Sequence, residues 1–179
     1  DVNYHGVVRC TKAVLPHMRK QQSGHVINIT SVGGLVGQPL NELYCAAKFA
    51  VEGYTEGLAT YLTPKFGIQF SIIEPGGIVS EFLTSAMQKT VTDGQMTLEP
   101  YQSILEKYMG GIQARAAAGE SETYQTAEEV AQVILSVAQK ENPPLRVRTS
   151  EWAEEFCRFK TTADPDGTKQ TQEIIKKFL

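Results

Sequence analysis

Apolar positions near the start of the chain return every three or four residues. Val7, Val8, Thr11, Val14, Leu15 and Met18 fall on one side of a helix, so the spacing predicts a helix over 2–21 closed by Gly24. The pattern then tightens. "HVINIT" (25–30) is short and rich in branched residues, as a strand is. "SVGGLVGQPLN" (31–41) is a glycine-rich loop, and 42–63 returns to helical spacing with Pro64 as its expected end. "GIQFSIIEP" (67–75) is almost continuously apolar, the mark of a strand buried on both faces, and "PGG" then turns the chain. Residues 81–125 read as irregular, with helical pieces at 81–90 and 100–109. "TAEEVAQVILSVAQK" is a helix capped by Thr126, with Glu129 at the capping-box position. "PLRVRTS" (144–150) is a third strand, followed by a helix around "SEWAEEFCRFK", a turn at "DPDG" and a last helix to Phe178.

Helix and strand thus alternate, which predicts an α/β fold with parallel strands. A length of 179 residues with 41% hydrophobic and 21% charged positions suits one globular domain over 1–179 with a substantial core. The net charge is −3 and no basic run occurs, which argues against nucleic acid as a partner. No apolar run is as long as a membrane span, and "DVNYHG" lacks the features of a signal peptide. Cys10, Cys45 and Cys157 have no metal-type spacing. They are expected to be reduced thiols of a cytoplasmic protein, with no metal site and with Cys45 as a small packing residue.

The candidate chemistry lies in "YCAAK". Tyr44 and Lys48 stand one helical turn apart, with Ser31 thirteen residues before the tyrosine. An ammonium beside a phenol favours the phenolate, so the Tyr44 pKa is expected to fall toward the operating pH. Such a phenol can exchange a proton with an alcohol or carbonyl oxygen. Alone, the pattern is weak. Tyr61 and Lys65 repeat it with Pro64 between them and Lys48, not a serine, thirteen residues upstream of Tyr61. The case for Tyr44 comes from convergence. Ser31 and Pro75-Gly76-Gly77 each follow a predicted strand, and the C-terminal edge of an open parallel sheet is where ligands bind.

Asn3-x-x-Gly6, "INITS" ending in Ser31, "YCAAK" and "PGGIVS" resemble, in that order and spacing, the short-chain dehydrogenase/reductase family. The resemblance implies the C-terminal part of a doubly wound Rossmann-type parallel sheet. The Gly-rich βαβ portion that cradles a pyrophosphate is absent here: no G-x-G-x-x-G occurs, and the chain opens in mid-helix with Asp1. About 100 further residues are therefore expected N-terminally. By resemblance, Tyr44 is the general acid/base, Lys48 tunes it and holds the nicotinamide ribose, and Ser31 holds the substrate oxygen. Asn3 supports a water-linked proton path to Lys48. Pro75, Gly76, Ile78 and Ser80 line the nicotinamide, with Ser80 keeping a hydroxyl where the family usually has Thr. Within the family the nearest likeness is to a branch handling steroids and retinoids. Gln38 takes a pocket position that is apolar in its steroid enzymes. Glu151 matches an acid that contacts the far steroid hydroxyl, or it is simply a helix N-terminal acid favoured by the dipole.

The implied reaction is hydride transfer between NADP, with NAD as the alternative, and a lipophilic alcohol, ketone or aldehyde. A homodimer through helices 2–21 and 42–63 is also implied. The rival reading is a truncated, non-catalytic dimerisation module. Tyr101, Tyr108, Met109 and Trp152 are expected to be core rather than pocket.

Overall fold

The computed structural model describes residues 1–81, 100–117 and 124–179. Three strands form a parallel sheet: β1 (Gly24–Ile29), β2 (Ile68–Glu74) and β5 (Arg146–Arg148), in the order β1-β2-β5. The register pairs Gly24 with Ile68 and Ile29 with Ile73, and on the other side Ile72 with Arg146 and Glu74 with Arg148. The central strand β2 is buried at every position but Gln69, as its unbroken apolar run predicts.

The first helix starts as a π-helical turn (Val2–Gly6) and continues as α1 (Val7–Gln21). Its stop is Gln22, left-handed at φ 56 with its N–H on the Met18 carbonyl, rather than Gly24, which already belongs to β1. The second helix, α2 (Glu42–Phe66), runs past its expected end at Pro64. A proline in the last turn removes a single helix hydrogen bond. Gly67, at φ 65, supplies the left-handed cap, its N–H 3.0 Å from the Thr63 carbonyl.

After β2 come two short strands that periodicity could not reveal, β3 (Gly77–Ile78) and β4 (Tyr124–Gln125), paired parallel to each other. Between them lies α3 (Gln102–Ala117), longer than the expected 100–109. Its Ala, Arg and Gln residues favour helix strongly enough to carry it through Gly110-Gly111. The helical piece expected over 81–90 lies, from residue 82 on, outside the described residues. The helix α4 (Ala127–Ala138) has the predicted capping box, with Thr126 and Glu129 each holding the other's backbone N–H. The chain ends with α5 (Glu151–Thr161) and α6 (Thr168–Phe178).

The main core joins Leu58, Ala59 and Leu62 of α2 to Val26 of β1 and Ile68, Phe70 and Ile72 of β2, with Leu15 and Met18 of α1 at its margin. A smaller cluster, Val32, Ala153 and Cys157 with Leu35, Val36 and Trp152, packs α5 against the loop after β1. One apolar cluster therefore clamps α2 to the sheet, and the other props up the loop that carries Ser31. Ile72 has no exposed surface. Ile72→Ala should cost about 2–5 kcal/mol of unfolding free energy, measured by urea denaturation. A cost near zero would show that α2 is not seated on the sheet.

Candidate active site

Two loops meet at the C-terminal edge of the sheet. The ladder between β1 and β2 continues past both strands: Thr30 donates its N–H to the Ile73 carbonyl at 2.8 Å, and Val32 donates to the Pro75 carbonyl at 2.9 Å. Ser31 and the Pro75-Gly76-Gly77 turn are thereby fixed side by side. Ser31 is extended and buried. It caps a 3-10 turn over Val32–Gly34, its Oγ accepting the Gly33 N–H at 3.0 Å.

Tyr44 lies in the first turn of α2, near enough to Ser31 for that side chain to act on its phenol. Lys48 follows one turn later, its Nζ 5.7 Å from the centre of the Tyr44 ring and 3.0 Å from the Ile29 carbonyl, to which it donates. A Cβ added to Gly33 would stand 3.1 Å from Tyr44 Cε1 and 3.4 Å from both Gln38 Nε2 and Ser31 Oγ. Gly33 is therefore the small floor around which Ser31, Gln38 and Tyr44 gather. A hydroxyl and a phenol gathered over one small floor can together hold one substrate oxygen, the first fixing it and the second exchanging its proton.

The electrostatics correct one expectation. Burial raises the Tyr44 pKa above the ordinary phenol value, and the Ser31 side chain only partly offsets this. Lys48, with its Nζ donating to the Ile29 carbonyl, is not among the groups that shift it. Burial also lowers the Lys48 pKa, while the Glu52 carboxylate acts to raise it.

The other predicted residues divide. Pro75 is buried under the Ser31 loop, Gly76 and Ile78 are half-buried and Ser80 is exposed along the same edge. Asn3 is exposed on the opening π-helical turn, which meets α2 through the Tyr4 and Tyr54 rings, 6.4 Å apart. Glu151 is exposed at the start of α5, after the capping Ser150. It lines an open groove of about 460 Å³ with Glu154, Glu155 and Arg158 among others, and Ser31, Gln38 and Tyr44 are not in that lining. This placement fits the helix N-terminal role. Trp152 packs in the smaller core and stacks on Phe156. Tyr101, expected in the core, is 55% exposed. Tyr108 and Met109 are half-buried, and the Tyr108 hydroxyl lies 3.4 Å from Asn41 Nδ2, just ahead of α2. Cys45 is buried, with its Sγ 3.8 Å from the Val36 carbonyl, a packing residue as expected. Among the described residues, no group of His, Cys, Asp or Glu could hold a metal, and no helix is long and apolar enough to cross a membrane.

The sequence reading missed a buried charged layer directly beneath the site. Glu52 accepts the Thr30 hydroxyl proton at 2.5 Å, and Glu74 pairs with Arg148 at 2.9 Å. Arg146 bonds Glu56 and stands 3.8 Å from Glu52 and 3.9 Å from Glu74. Two signals were available: Glu52 continues the four-residue stripe Tyr44, Lys48, and Glu74 ends an otherwise apolar strand.

Comparison with known proteins agrees with this geometry. The family described as short chain dehydrogenase matches residues 1–91. Retinol dehydrogenase 8 of Bos taurus is 35% identical over 168 residues, covering 94% of this chain and 53% of that protein. Human 17-beta-hydroxysteroid dehydrogenase type 1 is 37% identical over 170 residues, covering 94% of this chain and 49% of its own length. The chain thus spans about half the length of these relatives. Among solved structures, a short-chain dehydrogenase from Streptomyces avermitilis superposes with a TM-score of 0.66 at 26% identity, over 96% of this chain and 58% of that one. ElxO with NADP bound superposes with a TM-score of 0.55 at 27% identity, over 82% and 54%. With Ser31, Tyr44 and Lys48 assembled at the C-terminal edge of a parallel sheet, the chain belongs to the short-chain dehydrogenase family.

Proposed function

We propose that this chain is the catalytic and substrate-binding portion, over 1–179, of an NADP-dependent oxidoreductase. Its reaction moves a hydride between the nicotinamide and a hydroxyl or carbonyl carbon of a steroid- or retinoid-like substrate. The observation that carries the reading is the gathering of Tyr44 and the Ser31 hydroxyl around Gly33, with the Lys48 ammonium 5.7 Å from the Tyr44 ring centre. The likeness to retinol and 17-beta-hydroxysteroid dehydrogenases supports the substrate class, and the NADP bound to ElxO supports the cofactor.

The residues present fit such a cofactor. An ammonium has three donors, and the Ile29 carbonyl takes one of those on Lys48, leaving others for ribose hydroxyls. Pro75, Gly76, Ile78 and Ser80 lie on the same edge, on the side where the nicotinamide is to be held. When bound, NADP supplies the hydride. Every proton step then belongs to the chain's own side chains. Tyr44 gives its proton to the carbonyl oxygen in reduction and takes it back in oxidation. Ser31 holds that oxygen, and Lys48 anchors the cofactor beside the phenol. Asn3, on the turn leading into α1, is assigned the relay of water to Lys48. Gln38 faces the substrate with an amide, which favours a substrate with a polar group near its reacting end. Glu151, in a groove that Ser31, Gln38 and Tyr44 do not line, keeps the role of a helix N-terminal acid. The exposed apolar residues Leu43 and Phe49 of α2 suit a homodimer through α1 and α2, and the setting we assign is cytoplasmic.

Tyr44→Phe should lower NADPH-dependent reduction of a 17-ketosteroid or of retinal by about 10²- to 10⁴-fold, with NADPH affinity kept in a fluorescence titration. Unchanged turnover would refute the assignment. Gly33→Ala pushes a methyl against Tyr44 and Ser31, so kcat should fall by up to about 10²-fold while the melting temperature barely moves. The pH dependence follows from the raised Tyr44 pKa. At neutral pH the phenol holds its proton, so initial rates of carbonyl reduction should stay flat from pH 6 to 8. Alcohol oxidation needs the phenolate and should climb with pH. Reduction that declines steadily across that range would contradict a protonated Tyr44.

A further inference from the structure

The acidic layer beneath Ser31 contains two oxygens without a donor. Glu52 Oε1 takes the Thr30 hydroxyl and Glu74 Oε2 takes Arg148 Nη1. The remaining oxygens, Glu52 Oε2 and Glu74 Oε1, are buried and have no hydrogen-bond partner. Both face Arg146 Nε, at 3.8 and 3.9 Å. Two ionised carboxylates buried beside the same guanidinium repel each other at a cost, and one proton held by the pair relieves it.

We infer that Glu52 and Glu74 hold a single proton between them, and that this buried carboxyl pair is the positioning element of the site, fixing Ser31 through its loop and setting the charge of Lys48. The loop is gripped at two points. Thr30, adjoining Ser31, donates to Glu52, and a Cβ on Gly34 would lie 2.9 Å from Glu52 Oε1, so the carboxyl also packs against the turn that Ser31 caps. Glu74 immediately precedes Pro75, whose carbonyl receives the Val32 N–H. The pair therefore touches both loops that form the sheet edge. Toward α2, Glu52 is one turn from Lys48 and bears on its protonation.

The pair is enclosed by charge from each element packed on it. Lys48 and Glu56 belong to α2, Arg146 and Arg148 to β5, and Glu154 and Cys157 to α5. Arg146 and Arg148 alone do not hold both carboxyls ionised. Burial and mutual repulsion push Glu52 up to about 8, and burial pushes Glu74 up to about 7 despite Arg148.

The sign of the consequence is fixed. The folded chain keeps a proton that the unfolded chain has given up, so stability is greatest near the ordinary carboxylate pKa and falls as pH rises toward about 8. An amide at either position supplies the missing donor permanently. The test is a set of melting temperatures of the full chain from pH 5 to 9, for the wild type, Glu52→Gln and Glu74→Gln. The wild type should lose stability across this range, and Glu52→Gln should flatten the decline. Equal slopes in the two proteins would overturn the shared proton. So would failure of both amide variants to fold, since each carries the donor that the pair is inferred to share.

The link to the site is read separately, by NMR titration of the Lys48 ammonium in selectively labelled protein. Without the carboxylate of Glu52, its midpoint should move to lower pH. An unmoved midpoint would overturn the positioning role, whereas a purely structural carboxyl would leave Lys48 unchanged. The catalytic meaning of the inference rests on the dehydrogenase reading above. Neither measurement uses turnover, so either can fail while the Tyr44→Phe result stands, and the reverse.

Discussion

Everything at the candidate site depends on the parallel register of β1 against β2. Once Ile29 is opposite Ile73, the next residues of the two strands cannot diverge. Thr30 takes the Ile73 carbonyl and Val32 takes that of Pro75. A slip of one residue would turn Ser31 to the other face and part the two loops. The register is held from the far end as well. Gly67 lies so close to Gln22 that a Cβ there would stand 2.9 Å from the Gln22 carbonyl, which locks the exits of α1 and α2 against each other.

The helix α2 is the second organiser. Tyr44, Lys48, Glu52 and Glu56 recur every four residues, so one face of one helix carries, in sequence, a phenol, an ammonium, a buried carboxyl and a carboxylate paired with Arg146. The first two meet the C-terminal edge of the sheet. The latter two descend under the loop. Leu58, Ala59 and Leu62 then seat the helix on the sheet. Chemistry and packing thus occupy successive segments of the same element, and Asn28 bonding Thr55 at 2.8 Å marks the crossover between them.

Most of this was legible in the chain itself. The switch from period 3.6 to an unbroken apolar run located β2 and the helix before it, and the Tyr44, Lys48 and Ser31 spacing picked out residues that the fold brings to one edge of the sheet. What was not legible has a physical reason in each case. Strands β3 and β4 are two residues long, and a period needs more than that. Pro64 reads as a stop, yet near a helix end it removes little, so Gly67 decides the boundary. The phenol pKa was misjudged because a helical wheel places Lys48 beside Tyr44 but cannot show how far the fold buries the phenol. The carboxyl layer was overlooked because acidic residues read as solvated until a tertiary fold buries them.

The contacts that complete the site join distant parts of the chain. Thr30 and Ile73 are 43 residues apart in sequence, and Glu74 and Arg148 are 74 apart. Closing such loops sets the pace of folding, and the longer closure gains its reward last. A chain whose β5 has not yet docked would already own α2, β1 and β2 and would give most of the helical signal. It would still lack both guanidinium groups under the active edge, leaving Glu52 and Glu74 without their cationic partners. Helical content and a finished sheet edge are therefore separate milestones, and a refolding trace that follows only helix would declare the molecule native too early.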